Sequence, residues 1–163
     1  SGKSTIANYL INKIYELCSN RVTFLDGDIV RRQLSKGLGF SKEDRSMNVR
    51  RIGYVCSEVV KHGGIAIAAN IAPYEEDREY NRKIISEYGN YVEVYVNTNL
   101  DNCISRDVKG LYKLAIEGKI QQFTGISDPF EEPKTPEILL DGAKSIDESL
   151  NKVIDYLKCN NLL

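Results

Sequence analysis

The sequence predicts an α/β domain built on a parallel sheet, and three observations carry that expectation. Short runs rich in β-branched and aromatic residues alternate with longer helical patterns. The 163 residues, with a net charge of -1 and no long apolar run, suffice for one soluble globular domain with a real core. The first helical pattern starts directly at a glycine-lysine-serine turn, as where a strand passes into a helix around a phosphate.

Taken in order, residues 4–18 read as a helix with Ile6, Leu10, Ile14 and Leu17 on one face. "VTFLDGD" (22–28) is a strand, and 43–61 a second helix carrying Ile52, Val55, Cys56, Val59 and Val60 at helical spacing. "HGG" at 62–64 closes that helix with glycine where a left-handed cap is wanted, so His62 has a structural explanation and no patterned partner that would make it a base. "GIAIAAN" (64–70) and "YVEVYVNT" (91–98) are further strands, separated by a helix over 74–88; another helix begins over 99–106. Residues 107–136 mix a short helix with glycine, proline and charge, the pattern of a mobile lid. A last helix over 146–158 is capped by Ser145, with Glu148 three positions on.

The near-neutral charge argues against a bulk nucleic-acid binder, and no segment is long and apolar enough to predict a membrane span. Cys18, Cys56, Cys103 and Cys159 stand far apart, with no C-x-x-C pair and one histidine to share a metal. They read as reduced cytoplasmic thiols, three of them in helix cores. The cytoplasmic location rests on those thiols; the residues from Ser1 on show no signal-peptide pattern, and a targeting segment upstream stays open.

"SGKST" at 1–5 matches the second half of a phosphate-binding loop, G-x-x-x-x-G-K-[ST]. Such a loop needs glycine so that backbone N–H groups can approach the phosphates, and the helix that follows adds its positive end. Gly2 would give the close approach, Lys3 would meet the β- and γ-phosphates, and Ser4 would offer its hydroxyl to Mg²⁺. A polar N-cap would look similar. The next strand ends in "LDGD", placing Asp26 and Asp28 where open α/β sheets hold their ligands, although a plain Asp-Gly turn also fits. The chain is expected to begin inside the motif, with a strand and a glycine-containing turn upstream of Ser1. In this fold that strand runs through the middle of the sheet, and without it the core would keep a hole.

Arg31 and Arg32 follow the aspartates, and Arg45, Asn48 and Arg51 recur at spacings of three along one polar edge of a helix, with the apolar stripe from Ile52 facing away. Guanidinium groups grip phosphate and sulfate in forked geometry; a solvated charged face is the alternative. Phe40, between glycine and serine in a loop, is either a plug or a platform for a base.

With these residues in place, the sequence resembles the adenylylsulfate kinase family over essentially its whole length. The resemblance is carried by "SGKST", "FLDGDIVRRQLSKGLGFSKEDRSMNVRRIG", "IAPYEEDREYNR", "VEVYVNTNLDNCISRDVKGLYK" and "FTGISDPFEEP". It implies a three-layer P-loop NTPase fold with a central parallel sheet and a mobile lid, one kinase domain over 1–163. It also implies transfer of a phosphoryl group from ATP, with Mg²⁺, to the 3′-hydroxyl of adenosine 5′-phosphosulfate, giving 3′-phosphoadenylyl sulfate in sulfate assimilation. By the same resemblance Gly2, Lys3, Ser4, Thr5, Arg106 and Lys109 serve ATP, Ser4 and Asp26 serve the metal, and Lys3, Asp26 and Asp28 carry catalysis. Arg31, Phe40, Arg45, Asn48, Ile71 and Phe123 hold the acceptor, Phe40 and Phe123 sandwiching its adenine. A small nucleotide is the implied partner; a homodimer and a fusion to ATP sulfurylase are compatible with it.

Two positions depart from the family's usual I-S-P-Y-R: Ala72 removes a serine that some members carry phosphorylated, and Glu75 replaces a basic residue. Three readings therefore stand: a working adenylylsulfate kinase; a related kinase acting on another small nucleotide, such as a cytidine diphosphate derivative in surface-polysaccharide synthesis; and a non-catalytic nucleotide-binding domain. Phe40, Arg45, Asn48 and Phe123 favour the first, Ala72 and Glu75 the second. Lys3, Ser4, Asp26 and Asp28 speak against the third, since binding alone has no need of them.

Overall fold

The computed structural model describes residues 2–18, 21–99, 104, 110, 113–114, 124 and 128–163. Along the chain run α1 (Lys3–Leu17), β1 (Val22–Asp26), α2 (Gly27–Arg32), α3 (Lys42–Lys61), β2 (Ile65–Ala69), α4 (Glu75–Ser86), β3 (Val94–Asn97), β4 (Ile138–Asp141) and α5 (Ile146–Cys159). The strands form two parallel pairs: β1 with β2, Asp26 opposite Ala69, and β3 with β4, Val94 opposite Ile138.

Strand alternation sorts the side chains into two cores. Val22, Ile65, Ile67 and Val96 pack with Leu10 and Ile14 of α1 and with Leu150, Val153 and Ile154 of α5. Leu25 and Ala66 point the other way, onto Val30 of α2, Ile52 and Cys56 of α3, and Ile85 of α4. Helices thus cover both faces of the strands in three layers, which is why β2 reads as an almost unbroken apolar run. Full burial of a side chain such as Ile14, Ile52 or Val153 contributes about 1.5–3 kcal/mol. Between β2 and β3 the layer is interrupted by a cavity of about 1120 Å³, lined by Ile65–Ala68 on one side and Val92–Asn97 on the other. Among the described residues no helix is long and apolar enough to cross a membrane.

Several expectations need correction. The strand read over 22–28 stops at Asp26, whose side chain accepts a hydrogen bond from the Asp28 N–H and caps α2. A strong Asx cap overrides β-propensity there. Arg45 and Asn48 do not sit on an edge facing away from Ile52: all three belong to the buried face of α3, with Val49 and Cys56. Spacings of three, four and seven keep residues 45, 48, 49, 52 and 56 in one stripe, so polar and apolar side chains share it. Of the described cysteines, only Cys56 is buried in a helix core; burial pushes its thiol up to about 11, while Cys18 is half-buried beyond α1 and Cys159 is exposed. Cys103 and nearly all of the helix read over 99–106 lie outside the described residues. Strand β4 has no counterpart in the sequence pattern, because four residues after an irregular stretch carry too little periodicity.

Other expectations hold. Ser145 and Glu148 form a reciprocal capping box, in which the Ser145 N–H and hydroxyl keep the Glu148 carboxyl below its ordinary range. His62 ends α3, its Nδ1 at 2.8 Å from the Glu58 carbonyl, and Gly63 takes φ 76° in the turn out of the helix.

Candidate active site

The site gathers at the C-terminal ends of β1 and β2 and the N-terminal end of α1. Gly2 takes φ 85°, a conformation glycine adopts without steric cost, and α1 starts at the next residue. That helix has neither an acidic residue in its first turn nor a side-chain cap, so its N–H groups and its positive end are presented to an anion. Lys3 is half-buried in this first turn and lines the cavity, while Thr5 is exposed. The Ser4 hydroxyl donates to Asp26 Oδ2 at 2.6 Å. Asp26 Oδ1 accepts from the Asp28 N–H at 2.9 Å, so both oxygens of Asp26 are engaged, whereas Asp28 stands exposed in the first turn of α2. Gly27 lets this corner lie against the end of β2: a Cβ there would meet the Asn70 Cβ at 3.2 Å.

One turn further along α2, Arg31 donates to the Gly39 carbonyl at 2.6 Å and lies over the Phe40 ring at 4.5 Å. Arg45 reaches the same ring at 5.6 Å and donates from Nε to the Phe40 carbonyl at 2.8 Å. Burial, and then the like charge of Arg45, pull the Arg31 guanidinium below its ordinary value. Two cations on one aromatic ring repel each other, and an anion between or beside them relieves that repulsion. Phe40 itself is 53 % exposed, so it is not a plug. Asn48 is buried, and its Oδ1 has no partner among the described residues, leaving an acceptor to be satisfied. A carboxylate under α3 secures this arrangement: Asp77, fully buried, accepts from the Ser46 hydroxyl and from Arg50 Nε.

A family model described as adenylylsulphate kinase matches residues 1–141. The chain belongs to the adenylylsulphate kinase family. The adenylyl-sulfate kinase of Gloeothece citriformis is 48% identical over 158 residues, covering 96% of this chain and 88% of that relative. Among solved structures, the Mycobacterium tuberculosis APS kinase in complex with AMPPNP and APS superposes with a TM-score of 0.91 at 39% identity, covering 96% of this chain and 91% of that one. A gluconokinase from Sinorhizobium meliloti, at 17% identity with a TM-score of 0.63, covering 99% of this chain and 89% of that one, shares the fold alone.

Of the residues that the adenylylsulphate kinase resemblance singles out, the structure brings Ser4, Asp26 and Asp28 together, and separately Arg31, Phe40 and Arg45. Ile71, in the turn that follows β2, is 51 % exposed and lines the same cavity as Lys3. Arg106, Lys109 and Phe123 lie outside the described residues, as does much of the segment 107–136 read as a lid. The described part of that segment from Asp128 on is fastened down: the Glu131 N–H donates to the Pro73 carbonyl at 2.9 Å, and Phe130 stacks on Tyr95 with centroids 6.0 Å apart.

Two residues escaped sequence reasoning. Arg45 donates to the Thr124 hydroxyl at 2.7 Å and lies 3.5 Å from Asp128 Oδ2, so both residues are tied to α3, whose Arg45 also holds the Phe40 carbonyl. The only signal was their place in the "FTGISDPFEEP" motif, since a threonine and an aspartate four apart in an irregular stretch have no periodicity to read. Arg51 serves the fold locally, donating to the Leu34 carbonyl at 3.1 Å.

Proposed function

We propose that the chain is an adenylyl-sulfate kinase, passing the γ-phosphoryl group of ATP to the ribose 3′-hydroxyl of adenosine 5′-phosphosulfate in the cytoplasm and releasing ADP. The observation that carries this reading is the pair of guanidinium groups, Arg31 and Arg45, against the exposed Phe40 ring. That combination suits an acceptor that is both a base, stacked on the ring, and an anion, met by Arg31, while Arg45, held by the Phe40 carbonyl, Thr124 and Asp128, keeps the ring in place. At the other end, Lys3 and the uncapped N–H groups of α1 suit the triphosphate.

The Ser4 hydroxyl and the Asp26 carboxylate are hard oxygen donors of the kind Mg²⁺ takes, and they are the residues that would hold it. Among the described residues no group of three or more histidine, cysteine or acidic side chains could form a metal cage, which fits an ion carried in largely by phosphates and water. When bound, Mg²⁺ neutralises charge on the phosphate oxygens. The chain's own residues do the rest by position. Lys3 balances charge growing on the transferred group, and Asp28, exposed at the head of α2, orients the 3′-hydroxyl and takes its proton. Asp26, held by two hydrogen bonds, is a fixed support for the metal site rather than a second base.

The cytidine reading leaned on Ala72 and Glu75. Glu75 forms an exposed salt bridge with Lys134 at 2.9 Å, which gives its charge a local partner on the surface. A homodimer and a fusion to ATP sulfurylase rest on family resemblance alone.

The test is ADP release by the full chain given Mg-ATP with adenosine 5′-phosphosulfate and, separately, with cytidine nucleotides. Turnover is expected with the phosphosulfate; release no faster than with ATP alone would overturn the reading. Phe40→Ala should raise the KM for the phosphosulfate about 5- to 150-fold, as for losing one base stack worth about 1–3 kcal/mol, with the KM for ATP little changed. Equal losses for both substrates would reduce Phe40 to a loop residue.

A further inference from the structure

The turn from β2 to α4 contains a backbone conformation its sequence does not favour. Among the described residues only Ala72 and Asn161 have positive φ without being glycine, and asparagine tolerates that region far better than alanine. Ala72 has φ 42°, although it precedes Pro73, whose ring ordinarily holds the residue before it extended at negative φ. Such a conformation persists only where the surroundings over-determine it.

Here the surroundings are identifiable. Arg78 Nη1 donates to the Ala72 carbonyl at 2.9 Å. The Arg78 side chain is 7 % exposed, and its Nε lies 3.0 Å from Glu93 Oε1. Glu93 is held in turn by Arg82, whose guanidinium also takes both oxygens of Glu137. Burial pushes the Glu93 carboxyl above its ordinary range, against the pull of Arg78 and Arg82, as expected of a carboxylate drawn into the interior to anchor another group. On its far side the turn is fixed by Glu131, which donates its N–H to the Pro73 carbonyl at 2.9 Å and accepts from the Glu75 N–H at 2.6 Å. Ile71, immediately before the strained residue, is exposed and lines the cavity with Asn70, Lys3 and Arg78.

We propose that Arg78, backed by Glu93, is a positioning residue for the acceptor nucleotide: by gripping the Ala72 carbonyl it holds the left-handed conformation that presents Ile71 to the acceptor. This rests on the kinase reading above. In this role Arg78 acts through the backbone of residues 71–73. Loss of the grip lets Ala72 relax to negative φ and swings Ile71 out of place, while the ATP end, built on α1 and β1, is unaffected.

The experiment compares the full chain with Arg78→Gln, Ala72→Val and the double variant Arg78→Gln/Ala72→Gly, measuring KM for adenosine 5′-phosphosulfate, KM for ATP and kcat. Ala72→Val keeps the buried arginine and forces a β-branched residue into the same φ, so it decides the matter even if Arg78→Gln does not fold. Both single variants should raise the phosphosulfate KM about tenfold with the ATP KM within about twofold, since a misplaced contact weakens only the substrate it serves. The double variant should recover most of that loss, because glycine adopts positive φ without an anchor. Parallel losses for both substrates, or no recovery in the double variant, would make Arg78 merely structural. Absence of turnover by the unaltered chain would overturn the kinase reading, and this inference with it.

Discussion

Lys3→Ala is expected to lower kcat for phosphoryl transfer by about 10²- to 10³-fold, the range for removing one preorganised electrostatic donor from a developing transition-state charge. The transition state of this transfer is loose and charge-rich, so a cation fixed beside the transferred group contributes more there than to ground-state binding. Lys3 is fixed by the fold: it is half-buried, it opens α1, and Gly2 at φ 85° sets the direction of that turn. Stability should move the other way. A lysine at a helix N-terminus opposes the macrodipole, so its removal should leave the melting temperature unchanged or slightly higher. Steady-state ADP release and thermal denaturation together check this. An unaffected rate would mean that the opening motif does not serve ATP, and a matched loss of stability would mean that the lysine supports the fold.

Asp28→Asn should cost about 10²- to 10⁴-fold in kcat, the usual contribution of a positioned general base, with little change in either KM. Asparagine keeps the size and the hydrogen-bonding shape and loses the capacity to take the hydroxyl proton. Asp26→Asn is the informative contrast. Both oxygens of Asp26 are engaged, with the Ser4 hydroxyl at 2.6 Å and the Asp28 N–H at 2.9 Å. An amide nitrogen in place of one oxygen would face a donor, so this variant should lose stability as the cap on α2 weakens, by about 0.5–2 kcal/mol. It should also need a higher Mg²⁺ concentration for half-maximal rate. If instead Asp26→Asn abolished turnover at saturating Mg²⁺ and Asp28→Asn did not, the two carboxylates would have their roles exchanged.

Much of this was legible in the chain before folding. The alternation of β-rich and helical patterns, the glycine-lysine-serine turn and the paired aspartates at the end of β1 are local signals, each set by propensity or by the chemistry of a few neighbouring residues. The same holds for the Ser145 and Glu148 cap and for the glycine after His62, which the structure reproduces. Less local features read differently. Arg45 and Asn48 read as a polar edge of a helix facing away from the apolar stripe; in the fold they lie in the buried stripe with Ile52, where the Phe40 carbonyl, Thr124 and Asp128 hold the guanidinium. Glu75 reads as an anomaly near the acceptor until Lys134, fifty-nine positions on, neutralises it.

The sequence by itself determined the class of fold, the glycine-lysine-serine start of α1 and the family, because these depend on contiguous motifs and short-range periodicity. The tertiary structure alone decided which polar side chains are buried, that two guanidinium groups share the Phe40 ring, and that Arg78 holds Ala72 in a conformation alanine does not choose. The physical reason is that burial, and the hydrogen bonds it demands, arise between elements far apart in the chain, where no local pattern records the partner.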